Sequence, residues 1–212
     1  MDILFGRHGN TFGPDDKVVW VGRETDLELV DKGWQQAKAF HAALLRLNMV
    51  PDRLYCASLK RTRGFAETIG KNLPTPIKPV IESRLDEVDY GAWAGKTSEE
   101  ISTKPEDKEA MEHWSRHDIW PSNAGWGSLE SEILGNIQGF IDDILLTAHP
   151  DQKLLVISSN GTLRFFPKLL QVSNRDLPSY VMKTGHIGLI SGTPGAFKVR
   201  FWNIKPESLG TE

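Results

Sequence analysis

The sequence predicts an α/β fold: a three-layer, open, mostly parallel sheet flanked by helices, with a small helical or irregular cap inserted over about residues 92–128. Three observations predict it. Short apolar runs alternate with segments of helical periodicity along the chain. The run KLLVISS at 153–159 is the clearest strand in the chain. Three runs also end in polar turns, Arg7–Thr11, Ser58–Arg61 and Ser158–Gly161. In an open parallel sheet, ligands bind beyond the carboxyl ends of the strands, where these turns fall.

The elements follow in order. Ile3-Leu4-Phe5 reads as a buried first strand. Residues 31–47 place Ala37, Phe40, Leu44 and Leu47 at helical spacing, with Asp31 as N-cap. A second short strand covers 52–58, and a helix over 58–70 has Ser58 as cap and Gly70 as stop. Residues 77–82 form a third strand, weakened by Pro79. The cap holds Trp93, Trp114, Trp120 and Trp126 among charges, Pro105 and Pro121. Ile133, Ile137, Phe140, Ile141, Ile144 and Leu145 mark a helix over 129–146. After the strand at 153–159, Asn160-Gly161 turn the chain into a helix at 162–171. Residues 186–191 and 196–202 close the chain as two strands around a GTPG turn. With no internal repeat, 1–212 is expected to form a single domain.

Composition narrows the function. The 212 residues are 39% hydrophobic and 25% charged, ordinary for a globular chain, and the net charge is -3. Without a run of one sign, a broad nucleic-acid face is not expected, although a small basic pocket is compatible. The one cysteine, Cys56, can form no intrachain disulfide. The first apolar run is too short for a signal-peptide core, and no segment approaches a membrane span, so no membrane partner and a cytoplasmic location are expected. No G-x-x-x-x-G-K-[ST] loop occurs. His113 and His117 lie four apart but lack the glutamate of H-E-x-x-H and a third ligand nearby, which reads as a solvated face rather than a metal site.

Three groups carry chemistry. A neutral imidazole at a strand end, such as His8, can attack phosphorus. The fork of donors on Arg7 beside it can neutralise phosphate oxygens, and the flanking glycines permit close backbone approach. Taken alone, this pair also fits a histidine in an ordinary turn. Arg61 lies in the first turn of the second helix, where the helix dipole favours anions; Lys60 and Arg63 beside it fit a solvated face. In RLDEVDYGAWAG, a carboxyl group near Tyr90 and Trp93 could be desolvated and held protonated for leaving-group donation. Glu87, Asp86 and Asp89 compete for that role, and spacing does not choose among them.

These segments together resemble the histidine phosphatase (phosphoglycerate mutase-like) superfamily. RHGNT resembles its RHG motif, and TDLELVDKGWQQA resembles its D-x-x-L-x-x-x-G-x-x-Q-A segment. ASLKRTRGFAET is similar to its S-x-L-x-R-x-x-x-T-A segment, with Phe65 in place of the threonine before Ala66. LDEVDYGAWAG and GSLESEI resemble its glutamate loop and the start of its long helix. The matches run in the family's order over most of the chain. The resemblance implies that His8 is the nucleophile that becomes phosphohistidine, that Arg7 and Arg61 clamp phosphate, and that Glu87 is the general acid. It implies no cofactor and no metal.

The pattern breaks at one point. Asn160, in ISSNG, stands where the family carries a second histidine. Asparagine keeps a donor and loses the charge, which leaves either a slower enzyme or a pseudoenzyme that binds a phosphorylated ligand. His186, in KTGHIGL, is the candidate to supply the missing imidazole; a histidine at a strand edge is the competing reading. Asn10 replaces the glutamate or glutamine usual after RHG, and WVGRETD holds one extra residue before Asp26. The expected catalytic set is therefore His8, Glu87, Arg7, Arg61 and Asn160. The expected substrate-binding set is Asn10, Thr11, Arg23, Gly161 and His186, with Trp93 or Trp20 at the mouth. The expected partner is a small phosphorylated substrate or a phosphoprotein, and a homodimer is compatible. A phosphoglycerate mutase-type transferase is the alternative, although such mutases usually carry a longer cap.

Overall fold

Strands β1 (Asp2–Arg7) and β4 (Lys153–Ser158) pair in parallel at the centre of a six-stranded sheet, with Arg7 opposite Ser158. A computed structural model describes residues 1–173, 177 and 179–210. The other strands are β2 (Arg53–Cys56), β3 (Val80–Ile81), β5 (Ile187–Ser191) and β6 (Lys198–Ile204), in the order β3-β2-β4-β1-β5-β6. β3, β2, β4 and β1 run parallel; β5 is antiparallel to β1 and to β6. The predicted sheet is thus mixed, with its parallel half carrying the chemistry.

The central strands bury both faces, so alternate residues feed two cores. Leu4, Leu155 and Ile157 pack with Phe40, Phe65 and Ile69 from α1 (Asp31–Arg46) and α2 (Lys60–Asn72). Ile3, Phe5, Leu154 and Val156 pack on the opposite side with Ile137, Phe140 and Ile144 from α5 (Glu130–Thr147). Helices α3 (Ser98–Ile101) and α4 (Pro105–His117) form the cap, and the short α6 (Asn160–Leu163) and α7 (Phe166–Leu169) follow β4. No helix among the described residues is long and apolar enough to cross a membrane.

Several boundaries differ from expectation for local reasons. Ser58 does not cap α2: its N–H (2.6 Å) and hydroxyl (2.7 Å) both donate to Asp86, the helix starts at Lys60, and Leu59 holds the cap position. Gly70 does not stop α2, which continues to Asn72. Asp31 opens α1 rather than capping it, and Val30 holds the cap position. β3 shrinks to two residues after Pro79, which has no N–H for the ladder. The expected helix at 162–171 is divided into α6 and α7, with Pro167 at the start of the second.

The cap is fastened to the core by aromatic rings. Trp126 meets Tyr90, Trp93, Trp114 and Trp120 edge-on at centroid distances of 4.8–5.4 Å. Each such contact adds roughly 0.5–1.5 kcal/mol beyond area burial. Arg164 after α6 reaches Asp118 at 3.1 Å and lies 3.8 Å over the Trp114 ring. His113 and His117 lie on the exposed face of α4.

Candidate active site

Four neighbouring parallel strands deliver five polar groups to the same end of the sheet. β1 ends in Arg7 and His8, and β2 leads into Arg61 in the first turn of α2. β3 precedes Glu87, and β4 precedes Asn160. The connections after β1 and β4 leave toward opposite faces, which opens a crevice between two neighbouring strands. Arg7, His8, Arg61, Glu87 and Asn160 all line one cavity there, of about 430 Å³. His8, Arg61 and Glu87 are 5%, 1% and 4% exposed.

His8 is fixed by its own neighbourhood. Its N–H donates to the Ser158 carbonyl at 3.1 Å, and its carbonyl accepts from Gly185 at 3.0 Å. Ring Nδ1 lies 2.8 Å from the Gly9 carbonyl. A carbonyl can only accept, so Nδ1 carries the proton and Nε2 keeps a lone pair. Burial, reinforced by the charges of Arg7 and Arg61, holds the imidazole pKa well below the ordinary histidine value. The ring is therefore neutral and nucleophilic at Nε2.

The two guanidinium groups are held by backbone carbonyls. Arg7 Nη1 donates to Met182 at 2.8 Å. Arg61 donates to Thr25 (2.9 Å) and Gly22 (3.2 Å). Among the described residues neither forms a salt bridge, and the buried Arg7 Nε has no hydrogen-bond partner. Two buried cations facing one carboxyl group leave an excess of positive charge that an anion can balance.

Of the three competing carboxylates, Glu87 alone lines the cavity. Asp86 is occupied by Ser58, and Asp89 accepts from Gly91 N–H at 2.8 Å. Burial pushes the Glu87 carboxyl up, opposed by Arg61, the Val88 N–H, Arg7 and the Gly161 N–H. Tyr90, whose hydroxyl burial keeps protonated, hydrogen-bonds to Glu87. Asn160 Oδ1 accepts the Met182 N–H at 2.8 Å. That N–H can only donate, so the amide oxygen is fixed there and the NH₂ group is the part left for the cavity. One Met182 peptide thus anchors both Asn160 and Arg7.

The histidine phosphatase superfamily (branch 1) pattern matches residues 3–205, nearly the whole chain. The chain belongs to that superfamily. Among curated relatives, phosphoserine phosphatase 1 of Hydrogenobacter thermophilus is 31% identical over 142 residues, covering 66% of this chain and 62% of the relative. The 2,3-bisphosphoglycerate-dependent phosphoglycerate mutase of Rhodococcus opacus is 30% identical over 129 residues, covering 60% of this chain and 50% of the relative. The match therefore spans between half and somewhat under two thirds of these relatives' lengths. A mycobacterial glucosyl-3-phosphoglycerate phosphatase aligns with a TM-score of 0.76 at 20% identity, covering 97% of this chain and 98% of that one. The α-ribazole phosphatase of Shigella flexneri aligns at 0.70 and 20%, covering all of both chains. These likenesses show a shared fold.

This histidine phosphatase superfamily member departs from two of the residue expectations. His186 is not in the cavity: Gly185, at φ +72°, turns the chain, and His186 Nδ1 lies 2.9 Å from the Asn203 carbonyl. Only its backbone serves the site, accepting the Arg7 N–H at 3.2 Å. Arg23 also points away, paired with Glu24 (3.3 Å) and Glu132 (3.5 Å). Asn10 and Thr11 do line the cavity, and Asn10 Oδ1 accepts from Thr184 at 2.6 Å. Trp20 lines the mouth, while Trp93 is buried behind it. Phe12, Val18, Val19, Val21 and Thr184 line the wall without any sequence signal, since that loop has no periodicity.

Gly161 contributes by lacking a side chain. A Cβ there would sit 2.6 Å from the Tyr90 hydroxyl and 3.0 Å from Val88 Cγ2, and would press on Glu87. Gly161→Ala is expected to displace the carboxyl group, lowering kcat about tenfold or more and stability by roughly 1–3 kcal/mol. Turnover assays and thermal denaturation of the variant check both.

Proposed function

We propose that the protein is a phosphomonoester hydrolase working through a phosphohistidine at His8, on a small phosphorylated metabolite or a phosphoprotein. One observation carries the reading: a neutral imidazole with Nε2 free shares a cavity with two carbonyl-held guanidinium groups and a raised-pKa carboxyl group. Nε2 attacks phosphorus while Arg7, Arg61 and the Asn160 NH₂ hold the oxygens. The N–P bond forms as the P–O bond breaks, and Glu87 passes its proton to the departing oxygen. Water then attacks phosphorus, the N–P electron pair returns to Nε2, and Glu87 recovers its proton from the water. Each step uses side chains of this chain alone.

Asn160 gives the test its edge. Asn160→Asp keeps an acceptor for Met182 but turns a carboxylate toward the phosphate, so kcat is expected to fall about 10²–10³ with the fold retained. Asn160→His restores an imidazole. A charged donor is worth about 1–2 kcal/mol more than a neutral one, or roughly 5- to 30-fold in rate. Because the imidazolium form is the better donor, that gain is present at low pH and fades as pH rises through the new group's pKa. Hydrolysis of p-nitrophenyl phosphate across pH measures all three proteins. Absence of turnover by the native chain, with phosphate still bound, would leave the pseudoenzyme reading instead.

A further inference from the structure

One continuous stretch of the cavity's wall is apolar, beside the polar Asn10, Thr11, Ser98 and Thr184 that also line it. Val18-Val19-Trp20-Val21 is an irregular segment, yet all four residues line the cavity together with Phe12. None of the four is fully buried, and Val18 is 65% exposed. Apolar side chains left at the edge of a charged pocket are the mark of an apolar ligand surface. Trp20 is held rigidly in place. Its backbone pairs with Lys96 and Gly95 at 2.9 Å each, its indole N–H donates to Ser98 Oγ at 3.1 Å, and its ring meets Tyr90 and Trp93 edge-on.

The charges around the mouth point the same way. Among the described residues, no lysine or arginine besides Arg7 and Arg61 lines the cavity. The two cations next to the segment in the chain each meet a carboxylate: Lys17 meets Glu100 at 2.7 Å, and Arg23 meets Glu24 and Glu132. A second anionic group on a substrate would lie beside valine and tryptophan, with no lysine or arginine besides the phosphate-holding pair among the described lining residues to receive it.

We infer that the site selects phosphomonoesters whose alcohol portion is uncharged and apolar or aromatic, and disfavours substrates carrying a second anionic group such as a carboxylate. This rests on the phosphatase reading above and names its substrate class. It also disfavours a mutase acting on a phosphoglycerate, whose carboxylate would face the apolar wall.

The test compares alkyl phosphates with leaving alcohols of similar reactivity, so that the wall and not the chemistry is read. Wild-type kcat/KM is expected to be roughly tenfold or more higher for 2-phenylethyl phosphate than for 3-phosphoglycerate or O-phosphoserine. Val18→Lys places a cation at an exposed position where folding tolerates it. It should raise kcat/KM for 3-phosphoglycerate and lower it for 2-phenylethyl phosphate, moving the ratio by about tenfold. Trp20→Ala should raise KM for the phenylethyl ester more than it lowers kcat. Equal or better turnover of the carboxylated substrates by wild type, or an unchanged ratio in Val18→Lys, overturns the inference while leaving the phosphatase standing. Failure to hydrolyse any of these esters, p-nitrophenyl phosphate included, overturns both.

Discussion

Replacing His8 with alanine is expected to lower kcat for every phosphomonoester by about 10⁴–10⁶, the range seen when a nucleophile acting in concert with its partners is removed. The loss follows from the position of the ring. Nε2 of the neutral ring has a lone pair free to form a bond to phosphorus, since Nδ1 is committed to Gly9. The fold should survive the change. The imidazole is neutral, so no ion pair is broken, and it borders an open cavity rather than closing one. Phosphate binding should therefore persist in His8→Ala, because Arg7 and Arg61 keep their carbonyl partners. Phosphate titration by calorimetry, beside the rate assay, separates lost chemistry from lost structure.

Glu87→Gln is expected to cost about 10²–10⁴ in kcat with an alkyl phosphate, the span attributable to a positioned proton donor. With p-nitrophenyl phosphate, whose phenolate leaves without a proton, the first step should be much less affected. The second step still lacks its base, so an initial burst followed by slow turnover is expected in stopped-flow absorbance. The pH profile gives the same assignment independently. Native activity should rise with pH as His8 loses its proton, at a pH below the ordinary histidine range. It should fall again as Glu87 ionises, at a pH above the ordinary carboxylate range. In Glu87→Gln the alkaline fall should vanish. The substitution also exchanges one acceptor oxygen for an NH₂ group facing the Val88 or Gly161 N–H, a cost to stability of about 1–3 kcal/mol.

Strands β1 and β4 were legible in the sequence because they are buried on both faces and announce themselves as apolar runs; β2 is buried only at alternate residues and β3 is exposed, so both read as weaker, shorter strands. Arg7, His8 and Arg61 stood out as candidates because they fall in turns after strands, where the topology gathers ligand-binding groups, yet an ordinary turn histidine and a solvated arginine fitted the same residues, and their roles came from the resemblance to the superfamily. Glu87 was not separable from Asp86 and Asp89 by spacing alone. The structure separates them by contacts across the chain, since Asp86 is consumed by Ser58 and Asp89 by Gly91. The same pairing turns the Ser58 hydroxyl toward Asp86, while Leu59 holds the cap position of α2. His186 misled because ring direction after a left-handed glycine is set by the turn, which the sequence does not display. The apolar wall and Arg164 escaped notice because both depend on contacts between distant segments, Arg164 with Trp114 and Asp118, and Trp20 with Ser98.

The central claim is that phosphorus becomes bonded to the His8 ring during turnover. Rapid quenching of the native protein and of Glu87→Gln with radiolabelled p-nitrophenyl phosphate, followed by peptide mapping, tests it directly. The account predicts an acid-labile, base-stable label on the peptide containing His8, more abundant in Glu87→Gln and absent from His8→Ala. Turnover with no label on that peptide, or label on a different residue, would contradict it.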